Sequence, residues 1–390
     1  MKSQVEEIKE QIQIYRNNRT FICELKITEL CNMRCRYCYR DEKREVEVSL
    51  QRVIDFFDEL AEIHSGKIVC SFHGGEPLLR IDIIKSILHV LKKRGYYSRM
   101  AFTIQTNGIL LDDAIVELFK ENKVGIGVSL DFIEDFQGED RVLVSGEKTS
   151  YVVRQKIERA RALNVPVSVT CVVTRKNIDT LSDYIRWCYS NEIAMVGLNY
   201  LRMSNTDDAR LQLVPDVSDY IKSTKEVIDT LIELNRDRED NYKLYVLELS
   251  NIVNKIVNSY FDCYVCNSPC QAGKYIVCLN TDGRLDCCDC VGIDKSNTIG
   301  YFERGKLNEL LQIARKKEFA IDKRDIEECR NCEVGKFCTY ACAAENMIFY
   351  GDRNIQKPGK LCLWYKEIIK YLLSKFENGV NPDLFVDSYL

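Results

Sequence analysis

The 390-residue sequence predicts an α/β fold: a partial TIM-type (β/α)6 barrel followed by a cysteine-rich C-terminal unit. Three observations carry that prediction. Strand-like and helix-like runs alternate from residue 21 to residue 201, the pattern of βαβ units and a parallel sheet. Six strand-like runs are too few to close an eight-stranded barrel. From Cys263 onward the composition turns sharply toward cysteine.

Residues 1–19 are polar and charged, so they do not read as a secretory signal. Val5, Ile8, Ile12 and Tyr15 instead give one apolar side to a helix. The expected strands are 21–28, 67–73, 100–106, 124–130, 165–174 and 193–201, with amphipathic helices at 50–63, 81–94, 112–121, 150–163 and 181–189. Residues 202–218 are polar and turn-rich, and two longer helices, 220–238 and 246–260, are expected after them. The expected division is an N-terminal helix at 1–20, the barrel at 21–215, a helical bridge at 216–262 and a cysteine-rich domain with a C-terminal helix at 263–390.

The apolar fraction, 46%, is enough for a real core, and the net charge of −4 leaves no basic footprint for nucleic acid. No apolar stretch approaches the length of a membrane span. Nineteen cysteines without an export signal point to a cytoplasmic, reducing compartment and to metal binding rather than disulfides. With only 3 histidines, histidine-bound zinc has few candidates.

The first chemical signal follows the first strand: Cys31-Asn-Met-Arg-Cys35-Arg-Tyr-Cys38. Three thiolates on one short loop can hold three corners of a cubane iron–sulfur cluster, which normally takes four cysteines. The fourth iron is then open, as at catalytic metal sites. A zinc knuckle that borrows a fourth ligand is the competing reading. The stretch resembles the signature of the radical S-adenosylmethionine (SAM) enzymes, with all three cysteines in register. That resemblance implies a 4Fe-4S cluster whose open iron chelates S-adenosylmethionine and yields a 5′-deoxyadenosyl radical. It also places Tyr37 near the adenine.

Further motifs fall at the carboxyl ends of the expected strands, where ligands gather in such sheets. His73-Gly74-Gly75-Glu76-Pro77 ends the second strand. Its two glycines allow close backbone approach, and Pro77 fixes the exit. The resemblance makes Gly74, Gly75 and Glu76 a site for the methionine amino group, with Glu76 toward the ammonium. Thr106-Asn107-Gly108 resembles the family's polar turn near ribose and methionine; a plain turn is the alternative. Ser129-Leu130-Asp131 and Arg141 resemble the family's serine, aspartate and carboxylate-gripping arginine, a bidentate fork. The chain departs from that pattern at Phe132, where glycine is usual, and at Gln137-Gly138, where a His-Asp pair is common. A solvated charge at a helix start is the other reading of Arg141. Cys23, Cys70, Cys171 and Cys188 lack cysteine partners in sequence and read as small core residues.

The second unit spaces its cysteines as Cys270-x12-Gly283-x4-Cys288, then Cys329-x2-Cys332-x5-Cys338-x3-Cys342, then Cys362. Such an array means metal, with zinc the physical competitor to iron–sulfur. The spacing resembles the SPASM extension of radical SAM enzymes, with two auxiliary 4Fe-4S clusters and so three in all. Carried over, auxiliary cluster one takes Cys270, Cys288, Cys342 and one of Cys263 or Cys266, with Cys263 preferred. Auxiliary cluster two takes Cys329, Cys332, Cys338 and Cys362. Cys278, Cys287 and Cys290 have no assigned role. Asp289 stands where sulfatase-maturating members place the aspartate that takes the substrate proton; an aspartate that caps the hairpin turn is the plainer reading.

These resemblances lead to a peptide maturase. It abstracts a hydrogen from a ribosomally made peptide and forms a thioether or carbon–carbon crosslink. The expected partners are a peptide or protein substrate, a reductant such as flavodoxin or ferredoxin, and a separate leader-peptide-binding protein. The second reading is an anaerobic sulfatase maturase that makes formylglycine, and the third a non-catalytic iron–sulfur carrier.

Overall fold

The structure is a computed structural model that describes residues 20–38, 45–133, 139–201, 208–236, 242–258, 271–289, 297–316, 323–339, 342, 345–346, 350 and 358–386. The expected N-terminal helix and Cys263, Cys266, Cys270 and Cys290 lie outside the described residues.

Six parallel strands form in the expected order: β1 (Phe21–Thr28), β2 (Ile68–Gly74), β3 (Met100–Thr106), β4 (Val124–Ser129), β5 (Val167–Val173) and β6 (Met195–Tyr200). The helices between them are α1 (Leu50–Ile63), α2 (Ile81–Leu91), α3 (Asp113–Glu121), α4 (Ser150–Ala162) and α5 (Leu181–Ser190). Helix α1 shows why they form. Ser49 caps its start by accepting from Arg52 N, and Val53, Ile54, Phe56, Phe57 and Leu60 recur at helical spacing on its buried side. The expected strand at 165–174 is shorter because Val165 N donates to Ala160 O and Asn164 turns at φ 58°, so these residues finish α4.

The sheet does not stop at six strands. β7 (Tyr245–Val246) adds beside β6 just before α7 (Leu247–Val257), which follows α6 (Val217–Arg236). On the opposite edge β8 (Ile276–Leu279) runs parallel to β1, and β9 (Arg284–Asp286) and β10 (Thr298–Tyr301) complete an antiparallel extension. The cysteine-rich region therefore continues the barrel's own sheet. After α8 (Leu307–Lys316), the last helix, α9 (Cys362–Glu377), packs back on α6. There Trp364 stacks on Tyr220 at 5.3 Å, and its Nε1 donates to Thr224 Oγ1 at 2.9 Å.

Strand alternation sorts the side chains. Cys23, Leu25, Ile27, Phe72, Ile104, Val128 and Val169 face the helices in one continuous core, with Cys70, Cys171 and Cys188. All four cysteines are fully buried. The register puts Glu24, Ser71 and Thr103 in one row and Lys26 beside His73 in the next, on the opposite, concave face. A polar lumen follows from that alternation. Among the described residues no helix is long and apolar enough to cross a membrane.

Candidate active site

The three-cysteine loop leaves the carboxyl end of β1 and is clamped from two sides. On one side Gly75 N donates to Thr28 O at 2.8 Å and Glu76 N to Leu30 O at 2.7 Å. Here the paired glycines are a steric requirement. A Cβ on Gly74 would lie 2.4 Å from Thr28 O, and one on Gly75 only 2.0 Å from Leu30 O. Gly74 also has φ 143°, which side chains disfavour. On the other side residues 32–36 pair with residues 140–144: Arg34 N donates to Val142 O and Arg36 N to Asp140 O, both at 2.8 Å, and Met33 bridges Leu143. Nothing in the sequence reading singled out this ribbon.

Cys31, Cys35 and Cys38 are half-buried on this loop. Burial pushes the Cys35 thiol up to about 11; Arg141 pulls it down, and Asp131 and the two neighbouring thiols raise it further. Arg141 is not a solvated charge. It is 8% exposed, donates through Nη1 to the Tyr37 hydroxyl at 3.0 Å, and keeps a buried Nε with no hydrogen-bond partner. Tyr37 in turn donates to Asp131 Oδ2, while Asp131 Oδ1 accepts from Val172 N at 2.9 Å. Burial raises the Asp131 carboxyl, and Arg141, Tyr37 and Val172 oppose that rise. A buried guanidinium with an unused donor beside three thiols suits a small carboxylate next to a metal group. These residues fit an iron–sulfur cluster together with an amino-acid-bearing cofactor.

Glu76 is fully buried, and both its oxygens are engaged within the chain. They accept from Leu78 N at 3.1 Å, Thr106 Oγ1 at 2.6 Å and Asn107 N at 2.7 Å. The carboxylate expected at an ammonium thus ties β2's exit to β3's end. Asn107 continues the chain of contacts: its Nδ2 donates to Asn32 Oδ1 at 2.7 Å and lies 3.9 Å from Cys31 Sγ. Ser129 Oγ accepts from Gln105 Nε2 at 2.9 Å on the lumen face.

Asp289 sits at the seam between the two expected units. Lys26 Nζ is 2.8 Å from its Oδ1, and its N–H donates to Glu24 Oε2 at 2.9 Å. Lys26 and Asp289 side chains are 6% and 13% exposed. Asp289 is thereby paired with β1 across the lumen's edge. Lys26 and Glu24 escaped the sequence reading, although charged residues two apart in an apolar strand mark one polar face.

Cys288, just before Asp289, packs on Ile22, Val69 and Ile276. Further on, Cys329, Cys332, Cys338, Cys342 and Cys362 line one cavity with Lys323 and Lys366. Lys323 Nζ donates to the carbonyls of Gly335 and Cys338, each at 2.6 Å. Burial pushes the Cys338 thiol up to about 12, with Lys323 acting against it. No three described His, Cys, Asp or Glu side chains converge as ligands of a single metal ion. Cys342 lies on this cavity too, while Cys263 and Cys270, its expected partners, lie outside the described residues.

Residues 25–188 match the radical SAM superfamily. The chain thus carries a radical SAM domain, and it is an enzyme. The cysteine-type anaerobic sulfatase-maturating enzyme of Clostridium perfringens is 22% identical to it over 372 residues, 90% of this chain and 95% of the relative. The serine-type enzyme of Bacteroides thetaiotaomicron is 30% identical over 164 residues, 40% of each chain. Among solved structures, anSMEcpe with bound AdoMet superposes with a TM-score of 0.78 at 20% identity, covering 92% of this chain and 99% of that one. Streptococcus suis SuiB bound to its precursor peptide SuiA superposes with a TM-score of 0.60 at 13% identity, covering 87% and 75%. The fold is thus that of SPASM-type radical SAM enzymes, as expected. The reading as a non-catalytic carrier is set aside.

Proposed function

We propose that this radical SAM enzyme oxidises one side chain of a peptide or protein, taking a cysteine or serine to formylglycine. Cys31, Cys35 and Cys38 would hold the catalytic 4Fe-4S cluster. Arg141 would grip the carboxylate of S-adenosylmethionine, Tyr37 would lie by its adenine, and Gly74, Gly75, Asn107 and Ser129 would shape its seat. Glu76 acts as a positioning residue, since its oxygens already hold the turn and β3 together. When bound, the clusters and cofactor supply a 5′-deoxyadenosyl radical to take the hydrogen atom and an acceptor for the electron left behind.

The chain's own part is to seat the substrate and to take its proton. The observation that carries the reading is Asp289, held on the lumen's edge by Lys26 and by its backbone bond to Glu24. A carboxylate fixed there would accept the proton from the oxidised carbon's heteroatom. The sulfatase-maturating relative of Clostridium perfringens, aligned over 90% of this chain, supports the same reading. In the auxiliary region, Cys288, Cys342, Cys270 and Cys263 would hold one cluster and Cys329, Cys332, Cys338 and Cys362 the other. The cavity that Cys329, Cys332, Cys338 and Cys362 line together supports a shared metal group for the second set. The crosslinking maturase expected from the sequence differs only in the product formed after hydrogen abstraction.

The test is anaerobic incubation of the reconstituted enzyme with S-adenosylmethionine, dithionite and a cysteine- or serine-containing sulfatase-type peptide, read by mass spectrometry. We expect one residue to become an aldehyde, directly from serine, or from cysteine through a thioaldehyde that water hydrolyses with release of hydrogen sulfide. Asp289→Asn should lose peptide oxidation but still release 5′-deoxyadenosine. A bond between two side chains, with no aldehyde, would replace formylglycine by the crosslinking reading.

A further inference from the structure

At the mouth of the barrel a side-chain amide lies across a glycine to reach a serine. Gln105 and Ser129 stand on the concave face near the ends of β3 and β4, and Gln105 Nε2 donates to Ser129 Oγ at 2.9 Å. The register puts Gln105 opposite Gly127, two residues before Ser129 on the same face. The amide can cross β4 there because Gly127 has no side chain. A Cβ on Gly127 would lie 2.5 Å from Gln105 Oε1 and 3.4 Å from its Cδ. The backbone at Gln105 is fixed as well, since the next two residues bind the buried Glu76 carboxylate, through Thr106 Oγ1 at 2.6 Å and Asn107 N at 2.7 Å. Ser129 opens the turn that carries Asp131, whose carboxylate accepts from the Tyr37 hydroxyl, and Arg141 donates to that same hydroxyl. Among the described residues nothing accepts the Ser129 hydroxyl's own hydrogen.

We propose that Gln105 is a positioning residue: lying across Gly127, it holds Ser129 as a hydrogen-bond donor to an oxygen of bound S-adenosylmethionine, in its carboxylate or its ribose. The proposal rests on the reading of Ser129 as part of the cofactor's seat. A serine hydroxyl has one hydrogen to give and lone pairs to accept with, whereas an amide N–H only donates. Ser129 meets Gln105 with its accepting side, so its own hydrogen turns away from the amide, on the face where the lumen lies. A hydroxyl fixed before the cofactor arrives loses less freedom on binding. A donor there also suits a ligand whose exposed groups at that end are oxygens, and most of all an ionised one. Gly127 belongs to the same device, because any side chain on it would push the amide off the serine.

The experiment measures the dissociation constant of S-adenosylmethionine on the reconstituted, unreduced enzyme by equilibrium dialysis, so that no turnover enters. We expect Gln105→Ala to weaken binding about three- to tenfold, the net worth of one hydrogen bond. Gln105→Glu should weaken it further, because a carboxylate accepts the serine's hydrogen and leaves none for the cofactor. Gly127→Ala should match Gln105→Ala, and should add nothing in the Gln105→Ala background, where the amide it displaces is already gone. Gln105→Ala should likewise add nothing to Ser129→Ala, since it acts through that hydroxyl. 5′-Methylthioadenosine keeps the ribose and lacks the carboxylate, so it locates the oxygen: its affinity falls in Gln105→Ala if Ser129 meets the ribose and holds if Ser129 meets the carboxylate. Wild-type affinity for S-adenosylmethionine in Gln105→Ala overturns the positioning role, and so do losses from Gln105→Ala and Ser129→Ala that multiply in the pair. If Gln105→Ala fails to hold its iron, Gly127→Ala decides, and unchanged affinity there overturns the role too. A wild-type enzyme that holds its iron yet does not bind S-adenosylmethionine would instead overturn the cofactor reading beneath it.

Discussion

Replacing Gly75 by alanine should cost this enzyme its three-cysteine loop. The new Cβ would stand 2.0 Å from Leu30 O, 2.5 Å from Leu30 C and 2.7 Å from Glu29 O, all backbone atoms. Carbon and oxygen rest near 3.3 Å at closest, so the two segments must part by more than about 1 Å. That breaks the 2.7 Å bond from Glu76 N to Leu30 O and strains the 2.8 Å bond from Gly75 N to Thr28 O, about 1 kcal/mol each. The buried Glu76 carboxylate moves with them, and its three donors lose alignment. The sum is about 3 kcal/mol, with Cys31 displaced by a similar ångström. Thermal unfolding by circular dichroism, iron content and 5′-deoxyadenosine release should be measured together. Gly95→Ala is the control, because nothing lies within 4 Å of its Cβ position. We expect Gly75→Ala to melt lower, to bind less iron and to release no 5′-deoxyadenosine, while Gly95→Ala matches wild type. A Gly75→Ala protein with the wild type's melting temperature and full 5′-deoxyadenosine release would refute the steric reasoning.

The remaining predictions concern charge and metal. Burial raises Glu76 above its ordinary value of 4.5, so the group contributes stability that is fully present below that value and lost as pH rises through the folded-state value. Glu76→Gln should flatten that part of the melting-temperature profile; an unchanged pH slope would argue against a raised carboxyl. Lys26→Met should destabilise the fold by about 3 kcal/mol, because it removes the lysine that pairs with the largely buried Asp289 carboxylate, and Lys26→Met/Asp289→Leu should recover part of that loss in denaturant titrations. Strict additivity of the two changes would mean the pair is not coupled. Cys338→Ala should lower the iron content yet keep 5′-deoxyadenosine release, whereas Cys35→Ala should abolish release and keep the auxiliary iron.

The barrel was legible because its strands are short apolar runs between strongly periodic helices. β1 and β3 keep the residues the pattern marks, Phe21–Thr28 and Met100–Thr106. The cysteine loop was legible for a different reason: few other sequences need three thiols at that spacing. The clamp around the loop was not. Gly75 faces Leu30, 45 positions away in the chain order that register alone brings together, and the 140–144 ribbon is too short for any periodicity to mark. Glu76 shows a limit of motif reading, since the motif marks the residue but cannot say that Thr106 and Asn107 take up its oxygens. Lys26 and Asp289 meet only because β8 adds to β1, a pairing between sequence-distant strands. Composition pointed to a separate cysteine-rich unit and gave no sign that its first strands extend the barrel's sheet.

The most direct measurement follows the hydrogen atom. A peptide carrying deuterium on the β-carbon of its single cysteine or serine is incubated with the reconstituted enzyme, S-adenosylmethionine and dithionite, and both products are weighed by mass spectrometry. We expect deuterium in the 5′-deoxyadenosine and an aldehyde at that one residue. Deuterium-free 5′-deoxyadenosine beside an unaltered peptide would contradict side-chain oxidation at this site.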